Sequence, residues 1–179
     1  MFLDVERISI VSLWNRNVTS LPDSIGNLSS LIRLKIGNNH LTHLPDSICN
    51  LSSLTELWIF NNFLTCLPES IGRLTSLTIL CAFSNRLTHL PDSICRLTSL
   101  SMLNLSSNQL TSIPDSIGVL SLLARLYLNS NHLTSIPDSI GRLSSLSNLW
   151  LDDNPLILAQ AGKDQIMMQF GRAELFIVM

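Results

Sequence analysis

Apolar and polar positions alternate along this chain in a pattern that repeats itself. Leu-Pro-Asp-Ser-Ile-Gly at 21–26 returns with small changes at 44, 67, 90, 113 and 136, always 23 residues on. Six uninterrupted blocks follow: 8–30, 31–53, 54–76, 77–99, 100–122 and 123–145, with a partial seventh from Leu146 to about Leu158. Within a block, Leu34 and Ile36 lie two apart, as on one face of a short strand. Their equivalents are Leu57/Ile59, Leu80/Ala82, Leu103/Leu105, Leu126/Leu128 and Leu149/Leu151. Leu41, Leu44, Ile48 and Leu51 return the second half of the block to the same interior.

A block of this length holds one strand and one return segment, so it cannot close a core alone. Stacked blocks can, and their strands then form a parallel sheet at ~4.8 Å spacing. Six of the seven prolines share one slot, at Pro45 and its equivalents, and suit the first turn of a short convex helix or 3₁₀ segment. The acid after each proline sits well at a helix start. A column of asparagines, Asn39, Asn62, Asn85, Asn108, Asn131 and Asn154, is expected to bond backbone groups of the turns, because a buried amide needs partners. The first block breaks the column with Arg16.

Each block reads L-x-x-L-x-L-x-x-N-x-L-x-x-L-P-(D/E)-S-I-(G/C)-x-L-x-x. This resembles the leucine-rich-repeat family, and the L-P-x-S-I-G-x-L form is similar to its intracellular subtype of Ras-pathway scaffolds, plant intracellular repeat proteins, Roco proteins and bacterial effectors. The resemblance covers residues 8–158. It implies an α/β solenoid, a curved horseshoe with a parallel concave sheet and short convex helices or 3₁₀ turns. Residues 1–7 are expected to be an N-terminal cap segment and 159–179 a C-terminal helical cap and tail. In that tail, Ile166, Met167 and Phe170 share a helical face and Gly171 is a stop signal.

With the leucines inward, the positions beside them face the concave surface. They include Trp14; Arg33 and Lys35; Glu56, Trp58 and Phe60; Ile79 and Phe83; Met102; Arg125 and Tyr127; Trp150 and Asp152. Ser12, Cys81, Asn104 and Asn148 share the face. All three tryptophans and the only tyrosine fall here, whereas the inward slots hold Leu, Ile and Ala. Exposed aromatics, Met and Arg are the residue types that dominate protein interfaces. Strand propensity alone would spread aromatics over both faces. The expected function is therefore a non-catalytic module that binds a protein on its concave face.

Composition narrows this little. Hydrophobic residues make up 46% and charged residues 13%, which is globular, and the net charge of −2 gives no field to gather nucleic acid. No apolar run is long enough to span a bilayer. The first seven residues lack the basic and apolar regions of a secretory signal. A monomer is expected, cytoplasmic or translocated into a host cell. Cys49 and Cys95 share a slot two blocks apart, too far for a disulfide, so four reduced thiols are expected.

His43, Cys66 and His89 occupy one slot on three blocks, but the outer two lie roughly 10 Å apart, too far for a shared metal. No metal, cofactor or catalytic group is expected, and no phosphate-binding or metalloprotease motif is present. The partner class implied by the resemblance is a small GTPase or another host signalling protein. Two alternatives stay open: a regulatory fragment of a larger Roco-type GTPase, since 173–179 is similar to the first strand of such a domain, and a surface or secreted receptor domain.

Overall fold

The computed structural model describes residues 8–156. Seven three-residue strands run in register: β1 (Ile10–Ser12), β2 (Arg33–Lys35), β3 (Glu56–Trp58), β4 (Ile79–Cys81), β5 (Met102–Asn104), β6 (Arg125–Tyr127) and β7 (Asn148–Trp150). They form one open parallel sheet in the order β1 to β7, each residue paired with the residue 23 later. This is the expected repeat horseshoe. The expected caps at 1–7 and 159–179 lie outside the described residues.

The return side of each coil is a 3₁₀ turn, five residues long in five coils and three residues, Ile71–Arg73, in the third. Among the described residues there is no α-helix. The proline stands one position before the turn where the turn is full length, in an extended conformation, and its carbonyl accepts the first hydrogen bond, as from Ile48 N–H to Pro45 O at 3.0 Å. A coil of 23 residues must also supply a strand and two corners. That leaves about one tight turn on the far side, and 3₁₀ geometry rises faster per residue than α.

The core is continuous. The leucines and isoleucines of the repeat, from Leu21 to Leu151, stack into one apolar column, most of them fully buried. Cys49 and Cys95 join it as small apolar residues in a slot that elsewhere holds glycine. Gly72 shows why that slot is small: a Cβ there would collide with the Ser93 carbonyl oxygen of the next coil.

The asparagine column knits the corners. Asn85 Nδ2 donates to Ile59 O of the preceding coil at 3.0 Å and to Ala82 O and Phe83 O of its own, while its Oδ1 accepts from Leu64 N at 3.1 Å. Asn62, Asn108, Asn131 and Asn154 repeat the arrangement. At the first coil, Asn39 Oδ1 accepts from both Arg16 N and Val18 N. At position 16 the slot holds Arg16, which is exposed.

The residue before each column asparagine is left-handed, and so is Asn15 before Arg16: Asn15, Asn38, Asn61, Ser84, Ser107, Ser130 and Asp153 all have φ between 48° and 56°. Asn and Asp tolerate that region and serine less so. A second ladder runs on the opposite corner. Thr55 Oγ1 donates to Ile32 O, Thr78 Oγ1 to Thr55 O, Ser101 Oγ to Thr78 O and Ser147 Oγ to Ala124 O, at 3.0–3.2 Å.

Replacing Asn85 with Ala should strand the buried Leu64 N–H and remove one of two donors from Ile59 O, Ala82 O and Phe83 O, which keep Asn62 Nδ2, Asn108 Nδ2 and the Asn61 N–H. Net hydrogen bonds are worth about 1 kcal/mol each and stranded buried groups cost more, so a loss of roughly 3 kcal/mol is expected. Urea unfolding of N85A against the parent checks it.

Candidate functional site

Strand alternation places every anticipated residue on the outer side of the sheet. In β2 to β7 the central leucine is buried, and the residues on either side of it face away from the core; β1 has the partly buried Val11 at its centre. Trp14, Arg33 and Arg125 are exposed, and Lys35, Glu56, Trp58, Phe60, Ile79, Phe83, Met102, Tyr127, Trp150 and Asp152 are half-buried. One residue of this face differs. Cys81 is only 2% exposed, because a short side chain in the row between Trp58 and Asn104 is overtopped by its neighbours.

Coils one to four carry a joined cluster. Phe60 and Phe83 stack with centroids 4.6 Å apart and planes 4° apart. Trp14 meets Phe60 edge-on at 5.9 Å across the intervening coil. That reach depends on Gly37, which fills the same slot between them. A Cβ at Gly37 would strike the Phe60 ring at 2.6 Å. Aromatic pairs of this kind add ~0.5–1.5 kcal/mol beyond buried area. The Lys35 ammonium lies 5.5 Å from the Trp14 ring and 6.0 Å from the Trp58 ring, a cation held between two indoles. Arg33 Nε reaches Glu56 Oε1 at 3.2 Å, and the other Glu56 oxygen accepts from Trp58 Nε1 at 3.1 Å. The cluster is thus held in place before any ligand arrives.

A second cluster sits on coils six and seven, where Tyr127 and Trp150 stack at 6.1 Å. Trp150 Nε1 and Asp152 Oδ1 are buried there without hydrogen-bond partners. Between the clusters, coil five is polar apart from Met102: Asn104 Oδ1 accepts from Ser106 N and Oγ. The aromatic strip is therefore two stations with a polar gap, not one continuous ridge.

Three features of the surface are not among the anticipated residues. Ile10, 51% exposed, lies at the sheet's N-terminal edge beside Arg33. Phe63, on the flank, is stacked on His40 at 5.7 Å with the Arg86 guanidinium 4.5 Å from its other face. The signal for both was the column itself, since Phe63 shares one repeat slot with His40 and Arg86. On the convex side an open groove of about 490 Å³ is lined by Asp23, Asp46, Ser47, Asn50, Glu69, Ser70 and Arg73.

The His43, Cys66 and His89 slot is exposed, with each histidine Nδ1 within 3.1 Å of the preceding threonine hydroxyl. Among the described residues no group of three or more His, Cys, Asp or Glu side chains is placed to hold a metal, and no helix is long and apolar enough to cross a membrane.

The comparisons with known proteins agree with the repeat fold. A family model described as "Leucine-rich repeat region" matches residues 8–88, and a second, "Leucine rich repeat", matches 72–133 and 98–156. A search of curated proteins finds no match. Among solved structures, an LRR protein of Leptospira interrogans is 27% identical with a TM-score of 0.53, over 88% of this chain and 51% of that one. The LRR ectodomain of the membrane receptor kinase GASSHO1/SCHENGEN3 from Arabidopsis thaliana, in complex with Casparian strip integrity factor 2, is 37% identical with a TM-score of 0.72, over 76% of this chain and 17% of that one. The plant peptide hormone receptor RGFR1 in complex with RGF2 is 36% identical with a TM-score of 0.71, over 76% and 23%. The chain thus spans about half of the bacterial protein and less than a quarter of either receptor.

The four cysteines are unbridged. Burial pushes the Cys81 thiol up to about 12, with Arg125 pulling it down and Glu56 adding to the rise. Burial also raises Cys49, which a Ser70 hydrogen bond partly offsets, and Cys95, offset by Ser116. A raised value means less thiolate at any given pH, and thiolate is the nucleophile. At pH 8, Ellman's reagent should therefore titrate one thiol quickly, the exposed Cys66, and the other three only on unfolding. A C66S variant with a fast-reacting thiol would contradict this.

Proposed function

Because this chain is a leucine-rich-repeat protein, we propose that it is a non-catalytic interaction module whose concave face binds a protein partner. The observation that carries the reading is the pre-assembled cluster of Trp14, Lys35, Trp58, Phe60 and Phe83 on an outward sheet face, with Arg33 and Glu56 at its side. A fold needs its core slots filled with leucine; it does not need aromatics on the side facing away from that core. Large exposed aromatics beside Arg are where interface energy concentrates. Two of the similar structures hold a second molecule named in their descriptions.

We propose a monomer working in a reducing compartment, the cytoplasm of its own cell or of a host cell, as a scaffold for a small-GTPase pathway or as an effector acting on host signalling proteins. What supports this is the L-P-x-S-I-G-x-L subtype and four unpaired cysteines. One observation favours a second reading, a ligand-binding segment of a receptor ectodomain: the 36–37% identity to peptide-bound plant receptors.

A pull-down from source-cell and host-cell lysates separates them. The parent chain should recover an intracellular signalling protein, the Trp58→Ala/Phe60→Ala variant at least ten-fold less of it, and the convex Asp92→Ala control an unchanged amount. A secreted peptide as the recovered partner favours the receptor reading. Recovery that survives the concave pair but is lost with Asp92→Ala puts the site on the wrong face.

A further inference from the structure

The outward face offers two strand positions and one position beyond the strand per coil, and the clustered aromatics use only the second and third of these, at the C-terminal end of the strands. Seven strands at ~4.8 Å make this row roughly 29 Å long, while its width is two strand steps, about 7 Å. A row so narrow matches a linear segment better than a broad domain surface. An extended chain rising ~3.3 Å per residue would cover it with about nine residues.

The charges along the row are unequal. Arg33 is tied to Glu56, and Lys35 is held between two indoles. Arg125 on β6 is exposed and has no carboxylate within 4 Å among the described residues. Its cross-strand neighbours are Met102 and Asn148, and Tyr127 stands two positions along its own strand. A guanidinium beside neutral groups is available for a bidentate carboxylate contact. Arg125 stands at the first outward position, beside the row. From the middle of the Phe60–Phe83 stack to Arg125 is two and a half strand spacings across the sheet, about 12 Å, and four residues along it, about 13 Å, or roughly 18 Å in all, which is five to six extended residues.

We infer, resting on the concave-face reading, that the partner presents an extended segment, lying obliquely across the strands, that pairs an aromatic or large aliphatic side chain with an acidic one five or six residues away. The apolar side chain seats on Phe60–Phe83 and the carboxylate on Arg125. The polar coil between them, with Asn104 and Ser106, faces the segment's intervening residues.

Phage display of random 12-residue peptides on the full chain tests this, run in parallel on Arg125→Ala, Lys35→Ala and Phe60→Ala/Phe83→Ala. The enriched sequences should pair Phe, Tyr, Trp, Leu, Ile or Met with Asp or Glu at that separation. Arg125→Ala should erase the acidic preference and weaken a synthetic consensus peptide about ten-fold, the size of one good charged contact. Lys35→Ala should leave the preference in place. An acidic preference that persists without Arg125, or follows Lys35, overturns the inference. So does a failure to enrich any peptide. Peptides that need Phe60 and Phe83 but show no acidic preference sink this inference alone. Peptides indifferent to Phe60 and Phe83 sink the concave-face reading itself.

Discussion

The asparagine amide that bonds two coils at once is the contact on which this structure depends. A three-residue strand and a single 3₁₀ turn hold very little structure by themselves. Each coil becomes definite only when Nδ2 of one asparagine takes carbonyls from its own corner and the preceding one, and Oδ1 takes a backbone N–H from that neighbour. Leucine burial supplies the bulk of the driving force, at about 25 cal/mol per Å². It is non-directional, however, and would tolerate slippage. The amide bonds are directional and turn stacked coils into a lattice with one register.

That lattice separates two kinds of position. Leucine, asparagine and the small residue after Ser-Ile are each set by the adjacent coil: Gly72 by the Ser93 carbonyl, Asn85 by Ile59 and Leu64. The outward strand positions carry no such obligation, so their contents can answer to a ligand. Here they hold a pre-organised aromatic cluster, in which Gly37 is the one small residue kept for a site reason, leaving room for Phe60 to lie toward Trp14. Side chains held by one another before binding lose less freedom on binding, which is how such a face gains affinity without more area.

Most of the fold was legible because a period of 23 with no insertions turns one chain into its own set of aligned copies. Strand, corner and turn could be read column by column, and the outward residues followed from strand alternation alone. What escaped the reading depended on how neighbouring coils fill one another's space. Cys81 alternates outward, yet Trp58 and its other neighbours cover it. The gap at Met102, Asn104 and Ser106 divides the strip because a polar side chain can bond its own backbone instead of extending the stack. Serines at Ser84, Ser107 and Ser130 adopt left-handed backbone where asparagine stands in earlier coils, a constraint imposed by the corner and not by the residue. The hydroxyl ladder from Thr55 to Ser147 explains a Ser/Thr-rich slot whose pattern was visible and whose purpose was not.

The central claim is that the lattice carries the fold and the concave residues carry the binding. Urea unfolding of a chain with Trp58, Phe60, Phe83 and Tyr127 all replaced by serine tests it most directly. The account predicts one cooperative transition with a midpoint above that of the Asn85→Ala chain, despite the loss of four aromatic rings. A midpoint below that of the single asparagine variant, or a transition that breaks into steps, would mean that the aromatic face holds the solenoid together, and would contradict the account.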